Sequence, residues 1–155
     1  MRPADRTPAS VWPLTREVAL RLGQALLALS SDQEWEYWSS ENLLADRPRK
    51  WELSSWAAVA GTPVGYAIVS QVEAKVHLHH LVVGSAWRGK GIGALLLQES
   101  ACRGRERGCL QMTLKVPVQN VRAIGFYRSW GFGASEGNAS GYLNMSVNLC
   151  ELLAR

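Results

Sequence analysis

The sequence predicts a mixed α/β domain, a central sheet flanked by helices, and three observations carry that prediction. Apolar residues at helical spacing alternate along the chain with short runs of strand composition. The 155 residues suit a single domain, 1–155, able to bury one sizeable core. A glycine-rich loop, Arg88-Gly89-Lys90-Gly91-Ile92-Gly93, lies directly between a strand-like run and a helix-like run.

The elements follow in order. Thr15 to Ser30 reads as an amphipathic helix, with Val18, Leu22, Ala25, Leu26 and Leu29 on one face and Thr15 as its N-cap. A second helix is expected over Trp35 to Ala45, interrupted by Pro48. Leu53 to Ala60 begins a strand that turns at Gly61-Thr62-Pro63 and returns as Val64 to Gln71. Strand His77 to Val83, helix Ile92 to Arg107, strand Leu110 to Val116, helix Val121 to Ser129 and strand Tyr142 to Leu149 complete the layout. Gly133 to Gly141, rich in Gly, Ser and Asn, reads as a loop.

Composition narrows the function classes. No run approaches the ~18 consecutive apolar residues of a membrane span, and the charged N-terminus has no apolar stretch of a secretory signal behind it. A cytoplasmic protein is expected, with no membrane partner. Three cysteines, Cys102, Cys109 and Cys150, form neither a paired framework nor a metal-ligand spacing, so no metal is expected. The net charge of +4 raises the question of nucleic acid. Its short clusters, Arg47-Pro48-Arg49-Lys50 and Arg103 to Arg107, carry no interleaved stacking aromatics, so none is expected. No heptad or apolar seam marks an oligomer interface, and monomer and homodimer both stay open.

The glycine loop is suited to an anion. Glycines let the backbone approach a phosphate, and the helix start behind it offers unpaired N–H groups and a positive dipole end. A Walker loop needs Ser or Thr after Gly89-Lys90 to ligate magnesium, and Gly91 stands there instead. A dinucleotide fingerprint needs a further glycine that the spacing lacks. Arg88-x-x-Gly91-x-Gly93 does resemble the pyrophosphate loop of the Gcn5-related N-acetyltransferase (GNAT) superfamily. Asn120, Ala123, Phe126-Tyr127 and Gly131-Phe132 are similar to the second half of that family's signature, and Gly61 to Val69 resembles its preceding hairpin. The resemblance covers about residues 56–147 and implies a GNAT-like acyl-CoA N-acyltransferase fold with acetyl-CoA as co-substrate. It implies cofactor contacts from Leu81, Val82 and Val83, from Arg88, Gly89, Lys90, Gly91, Ile92, Gly93 and Ala94, and from Asn120 and Tyr127.

An amine attacking a thioester must first shed a proton, so a base is needed nearby. All three histidines lie in one strand, Val76-His77-Leu78-His79-His80-Leu81-Val82-Val83. Period-two alternation places His77, His79, Leu81 and Val83 on one face, and Leu78, His80 and Val82 on the other. The His-x-His pattern resembles the arylalkylamine N-acetyltransferases, which implies His79 as general base and His77 as relay partner; an isolated strand histidine more often simply fills space. Tyr127 is by resemblance the general acid for the departing thiolate, with core packing as the other reading. Asn120 suits either a helix N-cap or a pantetheine contact. Backbone N–H groups of Leu81 and Val83 are implied as oxyanion and pantetheine partners. Lys115 stands where ribosomal-protein N-terminal acetyltransferases of the superfamily carry a glutamate, and it cannot copy that carboxylate.

The acceptor is the least legible feature. Among seven tryptophans, Trp35, Trp38, Trp51 and Trp56, with Tyr37, concentrate near Glu34, Glu36 and Glu41. Aromatic faces and carboxylates suit a cationic or aromatic amine, and serve equally as core and solvated helix face. A small-molecule amine acceptor is the expectation, against a protein N-terminus or lysine as acceptor, or a non-catalytic acyl-CoA sensor.

Overall fold

A computed structural model describes residues 8–33, 38–135 and 141–155. In chain order its elements are β1 (Ser10–Pro13), α1 (Arg16–Ala28), α2 (Ser40–Leu44), α3 (Lys50–Leu53), β2 (Ser55–Val59), β3 (Thr62–Val72), β4 (Lys75–Val83), α4 (Ile92–Glu106), β5 (Gln111–Pro117), α5 (Val121–Ser129), β6 (Gly133–Ala134), β7 (Tyr142–Asn148) and α6 (Leu149–Leu153). The strands form one seven-stranded sheet in the order β1-β2-β3-β4-β5-β7-β6. Every pairing is antiparallel except β4 with β5. A parallel pair needs a long crossover, and α4 supplies it. The mixed α/β architecture expected from the sequence is therefore the one observed.

Local chemistry sets the boundaries. The Thr15 side chain accepts a hydrogen bond from the Val18 amide at 3.2 Å and starts α1 as expected. Trp35 to Tyr37 of the expected second helix lie outside the described residues. The described helix begins only at Ser40, because Ser39 and Asn42 form a reciprocal capping box there. After Pro48 comes α3, so the strand expected from Leu53 starts at Ser55. Lys50 of α3 is fully buried, and its ammonium donates at 2.6 Å to the carbonyls of both Leu43 and Ala45, closing the open end of α2. The Asn148 side chain caps Cys150 and Glu151, which ends β7 and turns Leu149 into helix rather than strand. Gly133 and Ala134, read as loop, add a short strand to the sheet edge beside β7.

Apolar residues bury both faces of the sheet. On one face Leu96, Leu97 and Ala101 of α4, with Leu149 and Leu152 of α6, cover Ala67, Val69, Val76, Leu78, Met112 and Leu114. Gly104 lets α4 approach closely, since a Cβ there would stand 2.9 Å from Val76 Cγ1. On the other face Ala19, Leu26 and Leu43 cover Tyr66, Ile68 and Val82.

The strict alternation expected for β4 fails at one residue. Against β3, His77 faces Ser70 and Leu78 faces Val69, but the next pair is His80 with Ile68, so His79 is an extra, bulged residue. Beyond it Leu81 faces Ala67, Val82 faces Tyr66 and Val83 faces Gly65. His80 and Val82 therefore share the face of His77, while Leu81 and Val83 lie on the opposite face from it. The expected grouping of Leu81 and Val83 with His77 and His79 is thereby corrected. The parallel pairing of β4 with β5 also stops at Leu78 opposite Leu114, although both strands continue. The two strands part there and open a wedge in the sheet.

Candidate active site

A cleft of ≈ 480 Å³ occupies this wedge. Leu78, His79, His80, Leu81 and Val83 form one wall, Leu114, Lys115 and Val116 the other, and the glycine loop and α5 close the remaining sides. Because ladder bonding between β4 and β5 has stopped, the strand edges facing the cleft offer backbone donors and acceptors to an extended ligand.

At one end the loop presents Gly89 and Gly91 in left-handed conformation, φ 76° and 83°. A Cβ built on either meets nothing within 4 Å, so the space above the loop is open. Gly91 is the N-cap of α4 and brings no side chain to its first-turn amides. Those amides and the dipole behind them suit an anion. Arg88 is less free than its expected role requires. Its Nε donates to the Val83 carbonyl at 3.0 Å, and its guanidinium forms two bonds to the Asp32 carboxylate, 2.6 and 3.0 Å. That hydrogen bonding holds the Asp32 carboxyl below its ordinary pKa, against the opposing effect of partial burial.

Of the expected cofactor residues, Leu81, Val83, Arg88, Gly89, Gly91, Ile92, Gly93, Ala94, Asn120 and Tyr127 line the cleft. Val82 and Lys90 do not. Regular alternation between Leu81 and Val83 turns the Val82 side chain into the core of the other sheet face, and Lys90 is exposed on the loop. Asn120 caps α5, accepting from the Ala123 amide at 3.2 Å, while also facing the cleft, so its two readings are compatible. Tyr127 is almost buried, edge-on to Phe126 and Phe132. Gln33, Trp87 and Arg122 also line the cleft and were not foreseen. Arg122 carried a partial signal, a cation in the first turn of the helix that Asn120 caps, but only the fold brings it to the phosphate loop; Gln33 and Trp87 carried none.

The histidines form a small network. His77 and His79 meet edge to face with ring centroids 4.6 Å apart. His79 Nε2 shares a hydrogen bond of 2.7 Å with Ser70 Oγ, and His77 Nδ1 one of 2.8 Å with Thr113 Oγ1. His79 reaches the cleft wall and His77 lies behind it. Burial, then neighbouring His77 and the cations Arg47, Lys50 and Lys115, push the His79 pKa down to about 3. Burial, Lys115 and Arg47 lower that of His77. Both rings are held neutral at physiological pH. His80 stacks on Trp38, with centroids 4.6 Å apart and planes 7° apart, and burial lowers its pKa to about 4. Ser70 and Thr113 were invisible in the sequence, since only sheet register brings them to the rings.

Residues 22–132 match the model of the acetyltransferase (GNAT) family. The chain belongs to this family. It is 33% identical over 94 residues to an uncharacterized N-acetyltransferase of Methanocaldococcus jannaschii, covering 56% of this chain and 41% of that one. It is 33% identical over 99 residues to the streptothricin acetyltransferase of Streptomyces lavendulae, covering 55% and 52%. The chain thus spans about half the length of the curated relatives it matches. The fold is similar to that of the PaiA N-acetyltransferase from Thermoplasma acidophilum, solved in complex with coenzyme A, with a TM-score of 0.76 at 21% identity over 91% of this chain and 99% of that one. As a GNAT chain it carries a mixed sheet flanked by helices, like its structural neighbours. Among the described residues no group of three or more His, Cys, Asp and Glu side chains is placed to hold a metal ion, and no helix is long and apolar enough to cross a membrane.

Proposed function

We propose that this protein transfers the acetyl group of acetyl-CoA to the primary amine of a small molecule. One observation carries the reading: a single cleft joins an uncapped helix start behind open glycines to a neutral imidazole and a tyrosine. Gly89, Gly91, Gly93 and the first amides of α4 fit a pyrophosphate, with Lys90 and Arg122 adding positive charge. The parted edges of β4 and β5 fit the extended amide-bearing arm. Acetyl-CoA supplies the activated thioester, and every other requirement falls on the chain.

His79 is the base in this reading, with a constraint on timing. An imidazole whose conjugate acid ionises near pH 3 cannot hold the proton of a free ammonium with a pKa near 10. The ammonium first gives one proton to water, and His79 accepts the second as the new C–N bond forms, when that nitrogen becomes far more acidic, and releases it through His77 or water. The backbone amide of Leu81 stabilises the developing oxyanion, and Tyr127 donates a proton to the leaving thiolate. The His-x-His likeness to arylalkylamine N-acetyltransferases supports the small-molecule acceptor. The chain acts in the cytoplasm as a monomer or homodimer.

Calorimetric titration with acetyl-CoA, followed by thiol release against free amines and N-terminal peptides, tests the reading. Binding with turnover of free amines is expected. Turnover confined to peptides moves the acceptor to a protein, and binding without turnover leaves a sensor module. His79→Gln and Tyr127→Phe are each expected to lower kcat about 10²-fold or more with coenzyme A binding retained. Unchanged turnover in both would sink the assigned roles.

A further inference from the structure

We propose that the Gln33 carboxamide binds the amide-bearing arm of the acetyl donor at the phosphate end of the cleft. The inference rests on the acetyltransferase reading and gives that site a side-chain contact from outside the sheet.

Gln33 ends the turn that follows α1, where its backbone amide donates to the Ser30 carbonyl at 3.0 Å. Two contacts seat this turn on the end of β4 and the start of the glycine loop. Leu29 Cδ2 stands 2.9 Å from the place a Cβ on Gly84 would take, and Asp32 holds Arg88 through bonds of 2.6 and 3.0 Å. Arg88 in turn donates to the Val83 carbonyl at 3.0 Å. Gln33 is thereby held beside residues 83–88, and it lines the cleft with Val83, Arg88 and Gly89. Residues 34–37 lie outside the described residues.

The Gln33 side chain is partly buried, and its Oε1 is sealed from solvent without a hydrogen-bond partner among the described residues. A buried oxygen left in that state is destabilising and rare in folded proteins, and a ligand in the cleft that the side chain lines can supply the missing donor. Rotation about the last side-chain bond exchanges the two amide atoms, so either reaches the cleft with the backbone at rest. A carboxamide both accepts and donates, and a secondary amide satisfies both ends, its N–H on Oε1 and its C=O on Nε2. The arm of coenzyme A carries such amides, and the first follows the pyrophosphate after a short branched carbon segment. With the pyrophosphate on the glycine loop, that amide falls beside residues 83–88. The reacting amine belongs instead at His79, toward the other end of the cleft.

The test compares calorimetric affinity for coenzyme A with that for 3′-phosphoadenosine 5′-diphosphate, the fragment that ends at the pyrophosphate and lacks the arm. Gln33→Met keeps the length of the side chain and removes its polar atoms. This variant should bind coenzyme A about tenfold more weakly, the loss expected of one or two neutral hydrogen bonds, and the fragment with unchanged affinity. Gln33→Ala, which cannot overpack the wall, should show the same split. The ligand-free Gln33→Met protein should melt no lower than the wild type, because an orphaned buried oxygen has been removed. Equal losses for coenzyme A and the fragment, unchanged affinity for both, or a loss confined to the KM of the amine overturns the proposal. An arm-dependent loss in a protein that releases no thiol with any amine keeps the contact and removes the catalytic reading. Wild-type turnover with coenzyme A affinity intact in both variants does the reverse, and no binding of coenzyme A by the wild type overturns both.

Discussion

Asp32 and Arg88 stand 56 residues apart in the chain and meet through two hydrogen bonds, tying the turn after α1 to the glycine loop. The residue expected to serve phosphate thus has its charge already matched by a carboxylate. Asp32→Asn removes the opposing charge while keeping the shape of the side chain. Coenzyme A affinity at low salt should rise, by about threefold at most for a partly exposed pair. Weaker binding would show instead that the pair shapes the loop, and titration at two salt concentrations distinguishes the outcomes.

Ser70 and Thr113 are positioning residues for the imidazoles. Each offers a hydroxyl to one ring nitrogen and so favours one orientation and tautomer. Ser70→Ala should lower kcat about threefold to tenfold with KM little changed, the size expected for loss of one orienting hydrogen bond. Its pH–rate profile should shift, while Ser70→Thr restores the wild-type curve. A change confined to thermal stability, with the profile intact, would reduce Ser70 to a packing residue.

Acid should weaken the fold through the same rings. Unfolded histidine takes up a proton near pH 6.5, whereas folded His79 and His80 resist down to about 3 and about 4. Between those limits the unfolded chain binds more protons, so stability is full above pH 6.5 and falls as pH drops. The melting temperature should decline from pH 7 to pH 4, and less steeply in His79→Gln. Parallel curves for the two proteins would refute the contribution of His79.

Gly104→Ala sets two effects against each other. Alanine favours the helix by about 1 kcal/mol, but its Cβ would stand 2.9 Å from the β-branched, fully buried Val76. Overpacking costs typically ~1–3 kcal/mol, so a net loss of about 1 kcal/mol and a fall of about 2–4 °C in Tm are expected. A rise in Tm would mean that β4 yields.

Much of this was legible in the sequence, for physical reasons that also explain where it was not. Helices α1, α4 and α5 and the central strands announced themselves because burial on one face imposes a period. The glycine loop was legible because left-handed backbone and an open approach to an anion both demand glycine. Strand β1 has four residues at a sheet edge and little burial, so it left no pattern. The short helices α3 and α6 span four and five residues, too few to show a helical period, although Asn148 is itself a local N-cap signal for α6. The bulge at His79 leaves only a faint trace: the apolar residues of one face fall at 76, 78, 81 and 83, with the adjacent His79 and His80 between them, and strict alternation through the strand passes over that slip.

That bulge makes residue count in β4 matter as much as residue identity. Deleting any one residue between Leu78 and Leu81 would restore a regular ladder, and with it an uninterrupted path for β5 to pair onward. The strand could then shut the gap in the sheet while keeping all but one of its side chains. Natural variation at this strand should accordingly proceed by exchange of side chains, and length variants should be recovered as folded, ligand-blind proteins.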